Sequence, residues 1–170
     1  MFIIFIFSLQ YRNNNNYAIF MIKIISFVDS FKHYDEPIKE FQKRLWKTIE
    51  FIKLKPSKRI EINEILLEET IELKKYLEKI KWYKVLLYID SKTMDTIQFS
   101  KFILETQMKY WDVIFIIGWA YWVIFEKIED LIDLKISFSP MTFPHAQAIM
   151  MLYEQLYRVS CIKSGVKYHH

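Results

Sequence analysis

Blocks of apolar and polar residues alternate along this chain, and their period switches repeatedly between two and about three and a half. Residues 22–28 form a β-branched and aromatic run that predicts a strand. Over 35–45, Ile38, Phe41 and Leu45 recur at helical spacing and predict one buried helix face. A second strand is expected at 49–54. A long helix is expected at 61–80, with Ile65, Leu66, Leu73 and Leu77 inward and charged residues such as Glu72 and Lys75 outward. Residues 84–89 and 113–117 are apolar on both faces, as strands covered on both sides of a parallel sheet should be. Helices at 96–108 and 124–132 and a fifth strand at 134–138 complete the alternation. Ser139, Pro140 and Thr142 then favour a turn. Pro144 fits the first turn of a last helix, where its missing N–H is not needed. Ile149, Leu152, Leu156 and Val159 share one face of that helix, and Met150, Met151 and Tyr153 make it apolar on another side. Such a helix belongs in a core or forms half of a subunit interface. Strand–helix alternation of this kind predicts an α/β domain with a mostly parallel sheet flanked by helices.

The first 20 residues stand apart from this pattern. The apolar run at 2–7 is too short to span a bilayer. It lacks a basic leading segment and a small-residue cleavage site, so it is a poor signal peptide. The asparagine tract at 13–16 is low in complexity and is expected to be unstructured. Residues 1–20 read as an extension outside the domain, either upstream of the true start or an apolar appendage packed on it. Residues 21–170 read as one domain, long enough to bury a core of its own.

Four stretches then carry a resemblance: Asp112-Val-Ile-Phe-Ile-Ile-Gly118, Ser137-Phe-Ser-Pro-Met-Thr-Phe-Pro-His145, Glu154-Gln-Leu-Tyr-Arg158 and Tyr168-His169. In order and spacing they resemble the ribosomal RNA large-subunit methyltransferase H family (RlmH), small members of the SPOUT superfamily. The resemblance covers residues 21–170. It implies a cytoplasmic enzyme that uses S-adenosylmethionine to methylate N3 of a pseudouridine in 23S rRNA within the ribosome. It also implies a homodimer and a deep trefoil knot in the C-terminal part, an exception to unknotted chains.

Carried over by motif, the cofactor is expected against three loops. These are Leu87 at the end of the third strand, Gly118 after the fourth, and Phe138, Ser139, Pro140, Met141, Thr142 and Phe143 after the fifth. All three are C-terminal strand ends, where ligands bind in open α/β sheets. Phe138, Met141 and Phe143 are expected to wall the adenine; taken singly, each reads as a core residue. Arg158, Tyr168 and His169 are the candidates for holding or deprotonating the base. The tail of one subunit is expected to complete the site of the other. Arg158 suits a phosphate or the uracil edge, and His169 a general base or a hydrogen-bond donor. His145 is expected to be structural.

Charge changes this picture little. With 24 Lys and Arg against 20 Asp and Glu, the net charge of +4 permits an RNA partner without demanding one. Lys53, Lys55, Lys58 and Arg59 form a basic loop that reads equally as an rRNA-backbone patch or as a solvated turn. The single cysteine, Cys161, excludes an internal disulfide and a cysteine-based zinc site. It reads as a buried, inert thiol. No metal and no membrane are expected.

Glycine is the anomaly. A chain of this length should carry about 12, yet this one has 2 glycines beside 5 tryptophans. Where the family reads Ile-Gly-Gly-x-x-Gly, this chain reads Ile117-Gly118-Trp119-Ala120-Tyr121-Trp122. Where it often has Arg-Leu-Gly, Arg44-Leu45-Trp46 stands. Trp82 and Trp111 each precede a strand, where a helix-ending glycine is expected. The pattern fits a gene in which UGA encodes glycine but has been translated as tryptophan, and the codons at these positions test it. Ser91 in place of a usual glycine and Tyr88 in place of a usual acid are plain departures. If Trp119 and Trp122 are genuine and block the cofactor, a non-enzymatic ribosome-associated protein is the rival reading. A generic nucleotide-binding module is weaker, because no phosphate-binding glycine loop is present.

Overall fold

The computed structural model describes residues 12–13, 16–17, 21–45, 48–110, 112–118 and 124–166. Within the asparagine tract, expected to be unstructured, the backbone of Arg12–Asn13 pairs antiparallel with Asn16–Tyr17. The domain is built from strands β1 (Ile22–Phe27), β2 (Ile49–Leu54), β3 (Tyr83–Thr93), β4 (Val113–Ile117) and β5 (Leu134–Ser137). Its helices are α1 (Asp35–Arg44), α2 (Ile62–Leu77), α3 (Thr96–Tyr110) and α4 (His145–Lys163). The strands pair in the order β2-β1-β4-β3-β5, and every pairing is parallel.

The pleat divides the apolar residues between two layers. Val113, Phe115 and Ile117 of β4 face a core shared with Ile38 of α1, Phe99 and Ile103 of α3, and Ile149, Leu152, Leu156 and Val159 of α4. Ile114 and Ile116 face the other way, onto Leu73 and Leu77 of α2 and onto Ile128. All five residues of β4 are buried, which is why its sequence is apolar without alternation. Helix α4 packs against both α1 and α3. It ends in a Schellman motif: Gly165 adopts φ +67, its N–H donates to the Ile162 carbonyl, and the Val166 N–H donates to the Cys161 carbonyl. Cys161 is buried and free, as its position on the helix suggested.

Three local expectations change. Residues 124–132 are not an α-helix but two short 3₁₀ turns, Phe125–Lys127 and Glu129–Leu131. The segment is too short to hold a helix by propensity, and Glu129, Asp130 and Asp133 would oppose the negative end of one. Its start is tied instead to α2, where the Ile124 N–H donates to Thr70 Oγ1 at 3.0 Å. Pro144 is the N-cap of α4, with ψ 146, rather than its first helical residue. Third, α2 buries Glu69, Thr70, Leu73 and Leu77, whereas Ile65 and Leu66 are only half-buried.

Of the five tryptophans, Trp46, Trp111, Trp119 and Trp122 lie outside the described residues; Trp82 lies within them. Trp82 does not have the positive φ of a helix-ending glycine. Among the described non-glycine residues only Lys32 has positive φ. The Trp82 ring is half-buried against the α2-side core, with Lys23 Nζ 4.1 Å from its centroid. Trp82→Gly is therefore expected to lower stability by about 2 kcal/mol, below the cost of truncating a fully buried Trp. Urea unfolding checks this; an unchanged or raised midpoint would make glycine the better-suited residue there.

Candidate active site

The C-terminal ends of β4 and β5 lie beside the middle of β3, which runs on to Thr93 instead of ending near Leu87 as expected, and a cavity opens above them. Leu87, Tyr88 and Ile89 come from β3, Ile117 and Gly118 from the end of β4, and Ser137 from the end of β5. Phe138, Ser139, Met141, Thr142 and Phe143 come from the loop after β5, and Ala148 from the first turns of α4. It is an open cleft: the space counted out to its mouth is about 570 Å³, of which only about 80 Å³ is cavity proper.

Local chemistry shapes each wall. The loop after β5 is held by hydroxyls. Ser137 Oγ donates to the Ser139 carbonyl at 2.8 Å, and the Met141 N–H donates to Ser139 Oγ at 3.1 Å. Short side-chain-to-backbone bonds of this kind fix a turn without regular structure. On β3, pairing with β5 slips: Leu87 and Lys92 both sit opposite Ile136. Tyr88, Ile89, Asp90 and Ser91 therefore bulge away from the sheet, which brings Tyr88 and Ile89 to the cavity.

The floor is anchored by α4. Its first residue, His145, is buried and hydrogen-bonds to the backbone of Phe27, at the end of β1. Burial pushes the imidazole from 6.5 down to about 4. At neutral pH it is an uncharged packing group, in keeping with the structural role expected for it.

Leu87, Gly118, Phe138, Ser139, Met141, Thr142 and Phe143 thus all line one cavity. Pro140 belongs to the same loop but is exposed and outside the wall. Tyr88, Ile89, Ile117 and Ala148 are wall residues that were not among the expected cofactor contacts. Arg158 is not brought to the cavity. It lies about 15 Å further along α4 than Ala148, at 1.5 Å per residue, half-buried, with its Nε donating to Glu154 Oε1. Tyr168 and His169 lie outside the described residues.

The basic loop is largely engaged with its own surroundings. Lys53 Nζ donates to the Asp29 carbonyl. Arg59 lies 3.9 Å from Glu64 and 3.5 Å from Glu68. The Ser57 N–H donates to Glu69 Oε1 at 2.9 Å, and burial raises the Glu69 carboxyl above its usual range. Lys55 and Lys58 are exposed. Among the described residues, no group of three or more His, Cys, Asp or Glu could hold a metal ion. Among the same residues, no helix is long and apolar enough to cross a membrane.

Comparison with known proteins agrees with this geometry. The family described as "Predicted SPOUT methyltransferase" matches residues 20–169. A protein of Fusobacterium nucleatum named ribosomal RNA large subunit methyltransferase H is 32% identical over 142 residues, 81% of this chain and 91% of that protein. One of the same name from Clostridioides difficile is 34% identical over 140 residues, 78% of this chain and 87% of its own length. Another, from Malacoplasma penetrans, is 38% identical over 109 residues, 64% of this chain and 68% of that one. The match runs through every strand of the sheet and through the loops that wall the cavity, and on it the chain belongs to the SPOUT methyltransferase family.

Proposed function

We propose that this protein methylates N3 of a pseudouridine in 23S rRNA of the large ribosomal subunit, with S-adenosylmethionine as donor. The observation that carries the reading is the cavity above β4, β3 and β5, walled by the residues of the family motifs. The relatives' names supply the substrate class.

The wall suits an adenosyl group. Leu87, Ile117, Phe138 and Phe143 give apolar and aromatic surface, while Ser139, Thr142 and the loop backbone give donors and acceptors. Such a mixture is typical of cofactor pockets. Gly118 presents backbone alone at the wall, so a flat group approaches it closely. Bound there, S-adenosylmethionine supplies a methyl group on a positively charged sulfur. The protein's part is to align the acceptor nitrogen and take up its proton. Fixed alignment lowers a transfer barrier by several kcal/mol.

Arg158, Tyr168 and His169 are the residues proposed to handle the base. In this chain Arg158 and the end of α4 lie far along the helix from the cavity, so one subunit's own tail starts from the wrong end. A homodimer in which each tail completes the partner's cavity resolves that distance. Met150 and Met151, apolar and only half-buried on α4 beyond its buried face, are the surface proposed for such an interface. A deep trefoil knot that tucks the last strand and α4 through the preceding loops belongs to the same proposal.

Deleting residues 168–170 tests it. Calorimetric titration is expected to show S-adenosylmethionine affinity within about twofold of the full chain. Methylation of ribosomes is expected to fall by two orders of magnitude or more, the combined scale of positioning and acid–base catalysis. Methylation at the original rate would remove the tail from the site.

A further inference from the structure

A second opening lies across the bulge of β3 from the cofactor cavity. Asp90, Ser91, Lys92, Phe125, Asp133 and Lys135 are among its lining residues, and its empty space is about 620 Å³. Tyr88 connects the two. It lines the first cavity, and its ring stands 5.9 Å from that of Phe125 in the second.

The arrangement is specific in its charge and its rings. Lys135 Nζ sits 4.3 Å from the Phe125 centroid and 5.6 Å from the Tyr88 centroid. Two aromatic faces thereby hold one ammonium in place at the groove wall. Lys92, exposed, supplies a second cation. The acidic residues do not cancel this pair uniformly. Asp133 Oδ2 accepts the Lys84 backbone N–H at 2.7 Å, so that carboxylate is directed at the sheet edge. Asp90 is exposed and repels an anion from its own end of the groove. Ser91 Oγ is buried in the wall with no hydrogen-bond partner among the described residues, a polar group that a polar ligand would satisfy.

We propose that this groove binds the rRNA strand next to the nucleotide being methylated, with a phosphate between Lys92 and Lys135 and a flanking base against Phe125. One ring-held cation, Lys135, with a second, Lys92, beside it and an aromatic ring at hand offers what single-stranded RNA requires: backbone neutralisation and a stacking surface. Among the described residues the groove adjoins the proposed methyl-donor cavity across Tyr88 and the Ile89–Asp90 step of the bulge, so a strand laid in it presents its next base toward that cavity. The inference rests on the function proposed above, because it assumes that the substrate is RNA.

Sedimentation of the full chain with purified bacterial ribosomes, between about 50 and 200 mM salt, tests it. Lys92→Ala with Lys135→Ala is expected to weaken ribosome binding at least tenfold and to flatten the logarithmic salt dependence by about 0.7, the slope for the one single-strand phosphate held between them. Phe125→Leu is expected to weaken binding about fivefold or more without changing that slope, because stacking is not an ion-release effect. Both variants should bind S-adenosylmethionine within twofold of the unmodified chain, since none of the three side chains lines its cavity. Unchanged ribosome affinity and salt slope in the lysine variant, with cofactor binding intact, would overturn the groove and leave the methyltransferase reading standing. Loss of cofactor binding in the unmodified chain would count against that reading instead. Equal weakening with an unchanged slope in the lysine variant would mean the groove docks a protein surface, which also overturns the RNA assignment.

Discussion

Ala148→Phe is expected to weaken S-adenosylmethionine binding at least 100-fold while leaving the protein folded. Ala148 lines the cavity one turn into α4. Its neighbours on the helix, Ile149 and Leu152, are fully buried in the core against α1, α3 and the sheet, so the helix cannot retreat. An added phenyl ring must enter the space proposed for the cofactor. Overpacking costs roughly 1–3 kcal/mol in a closed core, and less here because the cavity has an open mouth. A hundredfold loss corresponds to about 2.7 kcal/mol, which occlusion of a ligand's volume readily exceeds. Ala148→Ser, close to the original in size, serves as the control and should bind within a few-fold. Calorimetric titration decides the matter. Unaltered affinity in Ala148→Phe would place the cofactor somewhere other than this cavity, even though the motif residues wall it.

How far the chain could be read without its structure depended on whether each feature is local. Strands β2 and β4 were legible to the residue: β4 is a continuous apolar run, and β2 sets Glu50 and Lys53 between β-branched and aromatic residues ahead of a turn. The loop after β5 was legible through its motif, since Ser137, Ser139 and Pro140 carry their own turn chemistry. Features made by distant segments were not. The bulge of β3 follows from its register with β5, some fifty residues away, and without that pairing nothing marks Tyr88 as a wall residue. Glu69 and Thr70 were not among the residues of α2 expected to face inward. They are buried because Ser57 and Ile124 return to hydrogen-bond with them. The spacing of Ile124, Ile128 and Leu131 mimics a helix, yet the segment obeys its tether to Thr70 and its acidic end. Trp82 was grouped with the other tryptophans as a helix-ending glycine position, but its backbone lacks positive φ and its ring packs on the core. Arg158 was grouped with the site by motif, while its separation from the cavity follows from the rise of the helix that carries it.

Acidification should destabilise the fold through His145. The imidazole is 8% exposed, and burial lowers its pKa from 6.5 to about 4. The hydrogen bond to the Phe27 backbone favours the charged form but offsets only part of that. Position at the start of α4 acts in the same direction as burial, because the helix end is positive. As pH falls below 6.5, the unfolded chain takes up a proton that the native chain refuses until about pH 4. The unfolded state then binds more protons, so stability drops with falling pH throughout that window. The gap corresponds to about 3 kcal/mol at its acid end, at about 1.4 kcal/mol per unit. Glu69 works in the opposite sense: its raised pKa favours the native state at low pH and loses that contribution as pH rises past the unfolded value. A difference measurement removes this background. His145→Gln should be less stable than the unmodified chain at pH 7, through lost packing, and the gap between the two should close by about 3 kcal/mol at pH 4. Urea unfolding at both pH values measures it. A gap of equal size at both would mean that His145 is not held neutral in the native state. The consequence reaches the cavity, because His145 fixes the first turn of α4, which carries Ala148, to the end of β1. Cofactor affinity of the folded protein is therefore expected to hold down to about pH 4 and to decline only there, where the native imidazole itself takes up a proton.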